Sequence, residues 1–289
     1  MSITTPDIEL DVRAATATVG AEVRGVDLRR LDDPTQRHAL RQAFATHQVL
    51  HLPALAPTPE QHIELARVFG DLTRPSSVKP SIAGHPEITE FHTGAGSEDG
   101  NGDNDHWHVD ITFAEEPPGG SVLHGVEIPD VGGDTAFAST HAAFERLDPR
   151  WQRFLEGLEA LHVPGSGILA GAAKYGLPEW EGTSVYDIPG TVHPVVIEHP
   201  VTGRKGIFVN PGFTKEIVGF SKPESDAVLR FVYAHVAATA HTVRFRWQPG
   251  SVVVWDNRAV WHQRVNDGDA SRRVQRIQLK GERPRAAVA

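Results

Sequence analysis

The sequence predicts an α+β fold in which an antiparallel β core carries helices on its outside. Segments with apolar residues at helical spacing alternate with short Val- and Ile-rich runs, and from about residue 85 these runs are punctuated by Gly, Pro, Asp and Asn. No clear linker divides the chain, so we expect one domain over residues 1–289. A double-sheet jelly roll fits this pattern, and so does an unrelated α+β sandwich.

Four segments carry the helical pattern. Residues 33–48 begin with an acidic capping region and place Leu40, Ala43 and Phe44 at helical spacing. Residues 58–69 have Pro59 at the first helical position, and residues 141–161 and 222–239 return to the same spacing. We expect all four helices to lie outside the β core.

Strands and turns are predicted for most of the remainder. VLHLPAL at 49–55 is rich in Val and Leu, and HWHVDITF, SVLHGVEIP and TAFAS follow between turn residues. The sequence pattern again predicts strands at 193–200, at 206–212 and in the last fifty residues. Residues 163–192 are rich in Gly and Pro without a clear period. We interpret them as a lid or substrate loop, with a plain irregular connection as the alternative.

Composition narrows the class of protein. The net charge is −9 and there is no basic stripe, which argues against a nucleic-acid partner. No uncharged apolar stretch approaches the roughly 18 residues of a membrane span, and the first residues carry acids and no apolar run, so we expect a cytoplasmic protein. The absence of cysteine excludes thiolate metal sites and cysteine nucleophiles.

The motif HWHVD, at 106–110, offers three potential metal ligands within five residues. On a strand, His106, His108 and Asp110 would share one face. His108 and Asp110 with a distant histidine would form the two-His-one-carboxylate arrangement, which leaves open positions on iron for oxygen chemistry. The pair is not specific by itself, because a hydrogen-bonded His–Asp pair without a metal has the same pattern.

Three downstream histidines are candidates for the third ligand. His241 follows the end of a predicted helix, as a capping or surface residue would, and His193 precedes a proline at the start of a strand. His262 follows a buried-looking strand and a turn, so it would lie on a rigid support beside the core. We predict His262 as the ligand, with an ordinary core or surface histidine as the alternative.

Longer stretches are more specific than the HxD pair. They are VGAEVRGVDL, HQVLHL, FGDL, NDHWHVDITFAEEPPGGSVL, GGDTAFAS, HPVVIEHPVTGRKGIFVNPGFT, FRWQPGSVVVWDNRAVWH and RRVQRIQLKG. Through them the chain, from about Ile8 to Arg283, resembles the taurine dioxygenase-like (TauD/TfdA) family of Fe(II)/2-oxoglutarate-dependent dioxygenases. The resemblance implies a double-stranded β-helix (jelly-roll) core with flanking helices.

The resemblance also implies a role for each matching position. His108, Asp110 and His262 would bind Fe(II), while Thr135 and Arg272 would bind 2-oxoglutarate. An arginine suits that task because its planar fork meets a carboxylate with two parallel hydrogen bonds. On one strand, Arg272 and Arg276 share a face and can point into one cavity. Without the resemblance, two exposed arginines would be the more ordinary interpretation.

The substrate implied by the resemblance is a small or medium anion. Arg276 matches the position that holds the anionic head group in taurine dioxygenase, and Asn104 and Phe213 match further substrate contacts. Pro75 and Val78 stand about where taurine dioxygenase has a His and a Tyr, so taurine itself is disfavoured. An alkyl sulfate, sulfonate, aryloxy acid or amino-acid-derived metabolite fits better. Lys79 is either a substitute polar contact or a surface lysine.

The predicted enzyme would use O2 to oxidise, by hydroxylation, a C–H bond of this substrate and release succinate and CO2. The alternative is a metal-dependent hydrolase with the same ligands and a metal-bound water as nucleophile. That alternative gives Thr135 and Arg272 no task. We assign His106 a structural role and place His124 in the cavity or the core. The oligomeric state stays open, with a homo-oligomer among the expectations.

Overall fold

The computed structural model describes residues 10–73, 79–93, 105–176, 179–180, 182–265, 267 and 271–287. The helices of this described part are α1 (Pro34–His47), α2 (Pro59–Phe69), α3 (Thr140–Glu145), α4 (Pro149–Glu156), α5 (Ser166–Tyr175) and α6 (Lys222–Val236), with a short 3-10 helix at Thr239–His241. The strands are β1 (Asp11–Ala14), β2 (Ala21–Arg24), β3 (Val49–Leu52), β4 (Ser81–Ile82), β5 (His85–Thr93), β6 (Gly120–Glu127), β7 (Thr135–Ser139), β8 (Glu159–His162), β9 (Glu179–Trp180), β10 (Thr183–Ser184), β11 (Thr191–Pro194), β12 (Val196–Glu198), β13 (Lys205–Ile207), β14 (Thr214–Ile217), β15 (Thr242–Phe245), β16 (Val252–Asp256), β17 (Val260–Arg264) and β18 (Arg272–Leu279).

Three of the four predicted helices are confirmed, and their first residues explain where they begin. The carboxylate of Asp33 accepts hydrogen bonds from the first turn of α1. Thr58 and Gln61 form a reciprocal capping box at α2, and Ser221 and Glu224 do the same at α6. A proline follows each of these caps, where its missing N–H costs nothing.

The single helix predicted over residues 141–161 is wrong. The chain forms α3, then a second helix α4, and then strand β8 within the same segment. Pro149 cannot continue a helix, because it lacks an N–H and its ring clashes with the preceding turn. Asp148 accepts a hydrogen bond from the backbone of Arg150 and so starts α4 afresh.

Two sheets face each other and form the centre of the protein. The larger sheet has eight strands in the order β1-β2-β3-β16-β6-β18-β5-β4, and the smaller has the order β15-β7-β17. All pairs in these sheets are antiparallel except β2 with β3. The mixture of helices and largely antiparallel sheet predicted from the sequence is confirmed.

Alternation along the strands builds three apolar layers. Between the two sheets lie residues of both, including Leu123, Phe137, Val253 and Trp255. The other face of the large sheet packs on α1 and α2, and the outer face of the small sheet packs on α3 and α6. A cavity in the layer between the two sheets is therefore lined by residues of both sheets.

The segment at 163–192 is folded along much of its length. It contains α5, β9 and β10, and its first turn and its later residues contribute Ile168 and Ile188 to an apolar cluster with Ile111 and Phe113. The segment thus packs directly on the residues that follow Asp110. In the described part of the chain, no helix combines the length and apolarity needed to cross a membrane.

Acid should destabilise the fold through His62, which lies buried on α2 against β6. Its Nε2–H donates to the carbonyl of Val122, and burial together with nearby His124 lowers the pKa of His62 to about 3. In the unfolded chain the His62 imidazole becomes protonated near pH 6.5, whereas in the folded chain it stays neutral until the pH nears 3. The stability that neutral His62 contributes is therefore fully present above pH 6.5 and is lost as the pH falls toward 3.

We expect wild-type protein to lose about 2 kcal/mol more unfolding free energy than His62→Gln between pH 6.5 and pH 4.5. Glutamine keeps a donor for Val122 and does not titrate. Urea unfolding at the two pH values measures the difference, and His38→Gln on the exposed face of α1 is the matched control. Parallel pH slopes for wild type and His62→Gln would contradict the prediction.

Candidate metal and co-substrate site

The HWHVD segment is not a strand, which corrects the prediction. Only His108 pairs with a neighbouring strand, exchanging backbone hydrogen bonds of 3.0 and 2.9 Å with His262 of β17. The chain then turns at Asp110, and Ile111 adopts a left-handed conformation with φ 57°. His106 is exposed whereas His108 and Asp110 are buried, so the three do not share a face. The turn, and not strand alternation, brings His108 and Asp110 together.

Asn257 holds this turn from the end of β16. Its Oδ1 accepts from the N–H of Asp110 at 2.9 Å, and its Nδ2 donates to the carbonyls of Asp110 and Pro118, each at 2.9 Å. A left-handed β-branched residue such as Ile111 costs about 1–3 kcal/mol, and it persists where neighbouring contacts fix it. Sequence reasoning missed Asn257, because its partner is 147 residues away.

His108, Asp110 and His262 form one cluster of buried ligand atoms, all within 4.8 Å of one another. Asp110 Oδ1 lies 3.8 Å from His108 Nε2 and 3.7 Å from His262 Nε2. Neighbouring ligands on an octahedral ion with bonds of about 2.1 Å lie about 3 Å apart, so a small inward movement suffices. His193 and His241, the rejected candidates, hydrogen-bond to the carbonyls of Ala114 and His235 instead.

The protonation states suit a metal. A carbonyl can only accept, so His108 Nδ1–H donates to the carbonyl of His106 at 2.9 Å and leaves Nε2 free as a ligand. Burial lowers the pKa of His108 and of His262, which keeps both imidazoles neutral. Burial alone would raise the pKa of Asp110, but the charge of Arg276 and the hydrogen bond from Ser121 favour the carboxylate, and this pKa is lowered to about 2.

A cavity lies between the two sheets at this cluster. His108 and His262 line it together with Thr135, Arg272, Val274 and Arg276. The prediction that both arginines point into one cavity is therefore confirmed. Phe91, Leu123 and Trp255 give it an apolar wall.

Arg272 and Thr135 line the same cavity. The Arg272 guanidinium is buried, donates to Thr93 Oγ1 and the carbonyl of Gly133, and has no carboxylate within 4 Å among the described residues. Burial, and next Arg264, lowers its pKa to about 10, so it stays charged at neutral pH. Trp247 Nε1–H donates to Thr135 Oγ1 at 2.9 Å, which leaves the Thr135 hydroxyl proton available to donate.

Arg276 contacts the cluster of His108, Asp110 and His262 directly. Its Nη1 donates to both carboxylate oxygens of Asp110, at 3.1 and 3.2 Å, and its guanidinium lies over the ring of Phe91. Lys79 Nζ lies 5.0 Å from the centre of the same ring. Two cations thus share one aromatic wall of the cavity.

Phe213 and His124 are not among the described residues that line the cavity. Phe213 packs against Phe113, with ring centres 5.5 Å apart. His124 turns away from the cavity and contacts His62, while its neighbour Leu123 lines it. Asn104, Pro75 and Val78 lie outside the described residues.

The loop before β14 supports His108, and Gly212 is the point of closest approach. A Cβ at Gly212 would lie 2.6 Å from His108 Cβ, which cannot move without the backbone. We expect Gly212→Ala to displace His108 and weaken Mn(II) binding about 10- to 100-fold, as loss of a supporting contact does. Metal titration measures it. Gly157→Ala, where the nearest atom is 3.8 Å away, is the control, and equal affinities would contradict the prediction.

Comparison with known proteins decides the family. The model of the taurine catabolism dioxygenase TauD, TfdA family matches residues 11–278. The chain belongs to this family. Among its TauD/TfdA relatives, the alkylsulfatase of Acinetobacter baylyi is 35% identical over 97% of this chain and 88% of its own length. The alpha-ketoglutarate-dependent sulfate ester dioxygenase of Pseudomonas putida is 32% identical over 96% and 91%.

Solved structures agree with this TauD/TfdA assignment. A taurine dioxygenase from Burkholderia xenovorans superposes with a TM-score of 0.78 and 33% identity, covering 95% of this chain and 92% of its own. The protein is therefore an enzyme of the 2-oxoglutarate-dependent dioxygenase class. Sequence reasoning found its metal and co-substrate candidates but missed Asn257, Trp247, Arg264 and Asp105, whose partners all come from other strands or loops.

Proposed function

We propose that this protein is an Fe(II)- and 2-oxoglutarate-dependent dioxygenase that hydroxylates a C–H bond of a small or medium anionic substrate. The observation that carries the proposal is one cavity lined by His108 and His262, beside buried Asp110, and by Arg272 and Arg276. A hydrolytic metal site needs only the first group. An oxygenase that binds a dicarboxylate co-substrate and an anionic substrate uses all of them.

His108, Asp110 and His262 would hold the iron. The donor set fits, because two neutral imidazoles and one ionised carboxylate converge from two backbone segments and leave the cavity side open. With O2 and 2-oxoglutarate, ferrous iron would supply oxidation of an unactivated C–H bond, with one oxygen atom entering the substrate and the other entering succinate, and CO2 released.

Arg272 and Thr135 would hold the distal carboxylate of 2-oxoglutarate. The guanidinium offers a planar pair of donors, and the Thr135 hydroxyl adds a third. Burial strengthens these contacts, since water competes less inside the cavity. Arg272 has no carboxylate partner within 4 Å among the described residues, so the distal carboxylate of the co-substrate would form the ion pair with its guanidinium.

The charges around the cavity favour an anionic substrate. Among the described residues, the guanidiniums of Arg264, Arg272 and Arg276 face the carboxylates of Asp105 and Asp110. A divalent ion adds two positive charges and 2-oxoglutarate removes two, so the cavity, with Lys79 also at its Phe91 wall, would keep an excess of positive charge. Arg276, over Phe91, would bind the head group. The sulfate ester relatives make an alkyl sulfate the first substrate to test.

The fold that carries this site would be a jelly roll. We propose that the two facing sheets form its double-stranded β-helix, within one domain over residues 1–289. Residues 163–192 would act as a lid, since their Ile168 and Ile188 pack beside Asp110 at Ile111 and Phe113. Such a segment can exclude water from the cavity once substrate is bound.

A substrate panel tests the function. Purified protein with Fe(II), 2-oxoglutarate and O2 is offered alkyl sulfates, sulfonates, aryloxy acids and amino acids, and succinate is measured. We expect at least one anionic compound to give substrate-dependent succinate. The uncharged alcohol of the same chain length should give a rate of succinate formation that is lower by about tenfold or more. Equal turnover of the alcohol would contradict the anionic class. Product formed without succinate or O2 consumption would indicate a hydrolase instead.

A further inference from the structure

Arg264 stands on the same strand face as the metal ligand His262. Both belong to β17 and are separated by one residue, so their side chains leave the strand on the same side. In the antiparallel pairing of β17 with β7, Arg264 lies directly opposite Thr135. Residues directly opposite on such a pair project to the same face, with Cβ atoms about 5 Å apart. The register therefore places Arg264 beside the hydroxyl assigned to the co-substrate.

The cavity confirms this placement. Arg264 lines it together with Thr135, His262 and Arg272, and the Arg264 side chain is only 5% exposed. Two residues along a strand span about 6.7 Å. A 2-oxoglutarate whose keto end reaches the ion at His262 would extend its distal carboxylate over a comparable length, toward Arg264, Thr135 and Arg272.

Arg264 already pairs with one carboxylate, that of Asp105. Asp105 accepts from Arg264 Nε at 2.7 Å and from Nη2 at 3.3 Å, with 17% of its side chain exposed. Among the described residues, Arg264 and Arg272 bring two positive charges to this end of the cavity, and the carboxylates of Asp105 and Asp134 lie near them. The two guanidiniums repel each other, and the distal carboxylate of a dicarboxylate co-substrate bound by both would relieve that repulsion.

We propose that Arg264 is a second co-substrate-binding arginine, which holds the distal carboxylate of 2-oxoglutarate together with Arg272 and Thr135, while Asp105 orients its guanidinium. This assignment rests on the proposed function. It gives the chain two guanidiniums for one carboxylate, and it links co-substrate binding to Asp105, immediately before the HWHVD segment. Asp105 acts here as a positioning residue.

Binding of 2-oxoglutarate to the Mn(II)-loaded full chain, measured by calorimetry, tests the assignment without turnover. We expect Arg264→Met to raise the Kd for 2-oxoglutarate at least tenfold and Arg264→Lys to raise it less, with the Kd for Mn(II) unchanged in both. Asp105→Asn should raise the Kd for 2-oxoglutarate by a smaller factor than Arg264→Met does, because Arg264 keeps its charge and loses only part of the contact that orients it. Arg246→Met, an exposed arginine just after β15, is the matched control.

Three results would overturn the assignment. Arg264→Met and Arg264→Lys could both bind 2-oxoglutarate within twofold of wild type, so that the guanidinium does not touch the co-substrate. Arg264→Met and Asp105→Asn could lose equal affinity, so that the pair only supports the fold. Loss of Mn(II) binding by Arg264→Lys would likewise indicate a structural role. Failure of the unmodified protein to bind 2-oxoglutarate would instead overturn the proposed function itself.

Discussion

Asp110→Ala is expected to lower substrate-dependent succinate formation about a thousandfold or more, because the ion loses its only carboxylate ligand and with it several kcal/mol of stabilisation. Asp110 Oδ1 stands between the two imidazoles, at 3.8 and 3.7 Å, so its loss leaves two neutral ligands. It also removes the carboxylate partner of Arg276. Two measurements follow the change: succinate release and Mn(II) titration.

Asp110→Asn keeps the side-chain shape and the contact with Ser121, so it separates loss of the metal ligand from loss of folding. It should bind Mn(II) as weakly as Asp110→Ala does while unfolding closer to wild type in urea. Asp226→Ala, on the surface of α6, is the control for removing an acid. Retained Mn(II) affinity and turnover in both Asp110 variants would refute the assigned metal site.

Arg272→Ala is expected to weaken 2-oxoglutarate binding by about 3–5 kcal/mol, the scale for leaving one partner of a buried ion pair alone. That is a factor of about 10² to 10³ or more in Kd. Mn(II) binding should persist, because Arg272 contacts Thr93 and Gly133 and neither histidine ligand. Calorimetry of 2-oxoglutarate with the Mn(II)-loaded protein measures the effect.

Arg273→Ala is the matched control for this change. Arg273 is the next residue on β18, points to the opposite side of the strand, and pairs with Glu127 and Glu90 outside the cavity. We expect it to leave the Kd for 2-oxoglutarate unchanged. If Arg272→Ala bound as tightly as wild type, the co-substrate role would pass to Arg264 or Arg276, whose guanidiniums share the cavity.

Local chemistry determined much of what the sequence predicted. The starts of α1, α2 and α6 could be read from a cap and a proline, because a cap bonds to backbone within three residues of itself. The shared face of Arg272 and Arg276 followed from strand alternation, which is also local. The same rule failed at Asp110, because a contact from 147 residues away bends the chain there.

The sequence by itself determined which chemical groups the candidate site has: two imidazoles, one carboxylate, one hydroxyl and an arginine pair. The tertiary structure decided how they meet. Asn257 from β16 sets the turn at Asp110, Trp247 fixes the Thr135 hydroxyl, and the β17–β7 register brings in Arg264. Residue type and the local spacing of apolar residues can be read directly from a short stretch of sequence. Register and long-range hydrogen bonds depend on which distant strands pair, and that is settled only when the whole core packs.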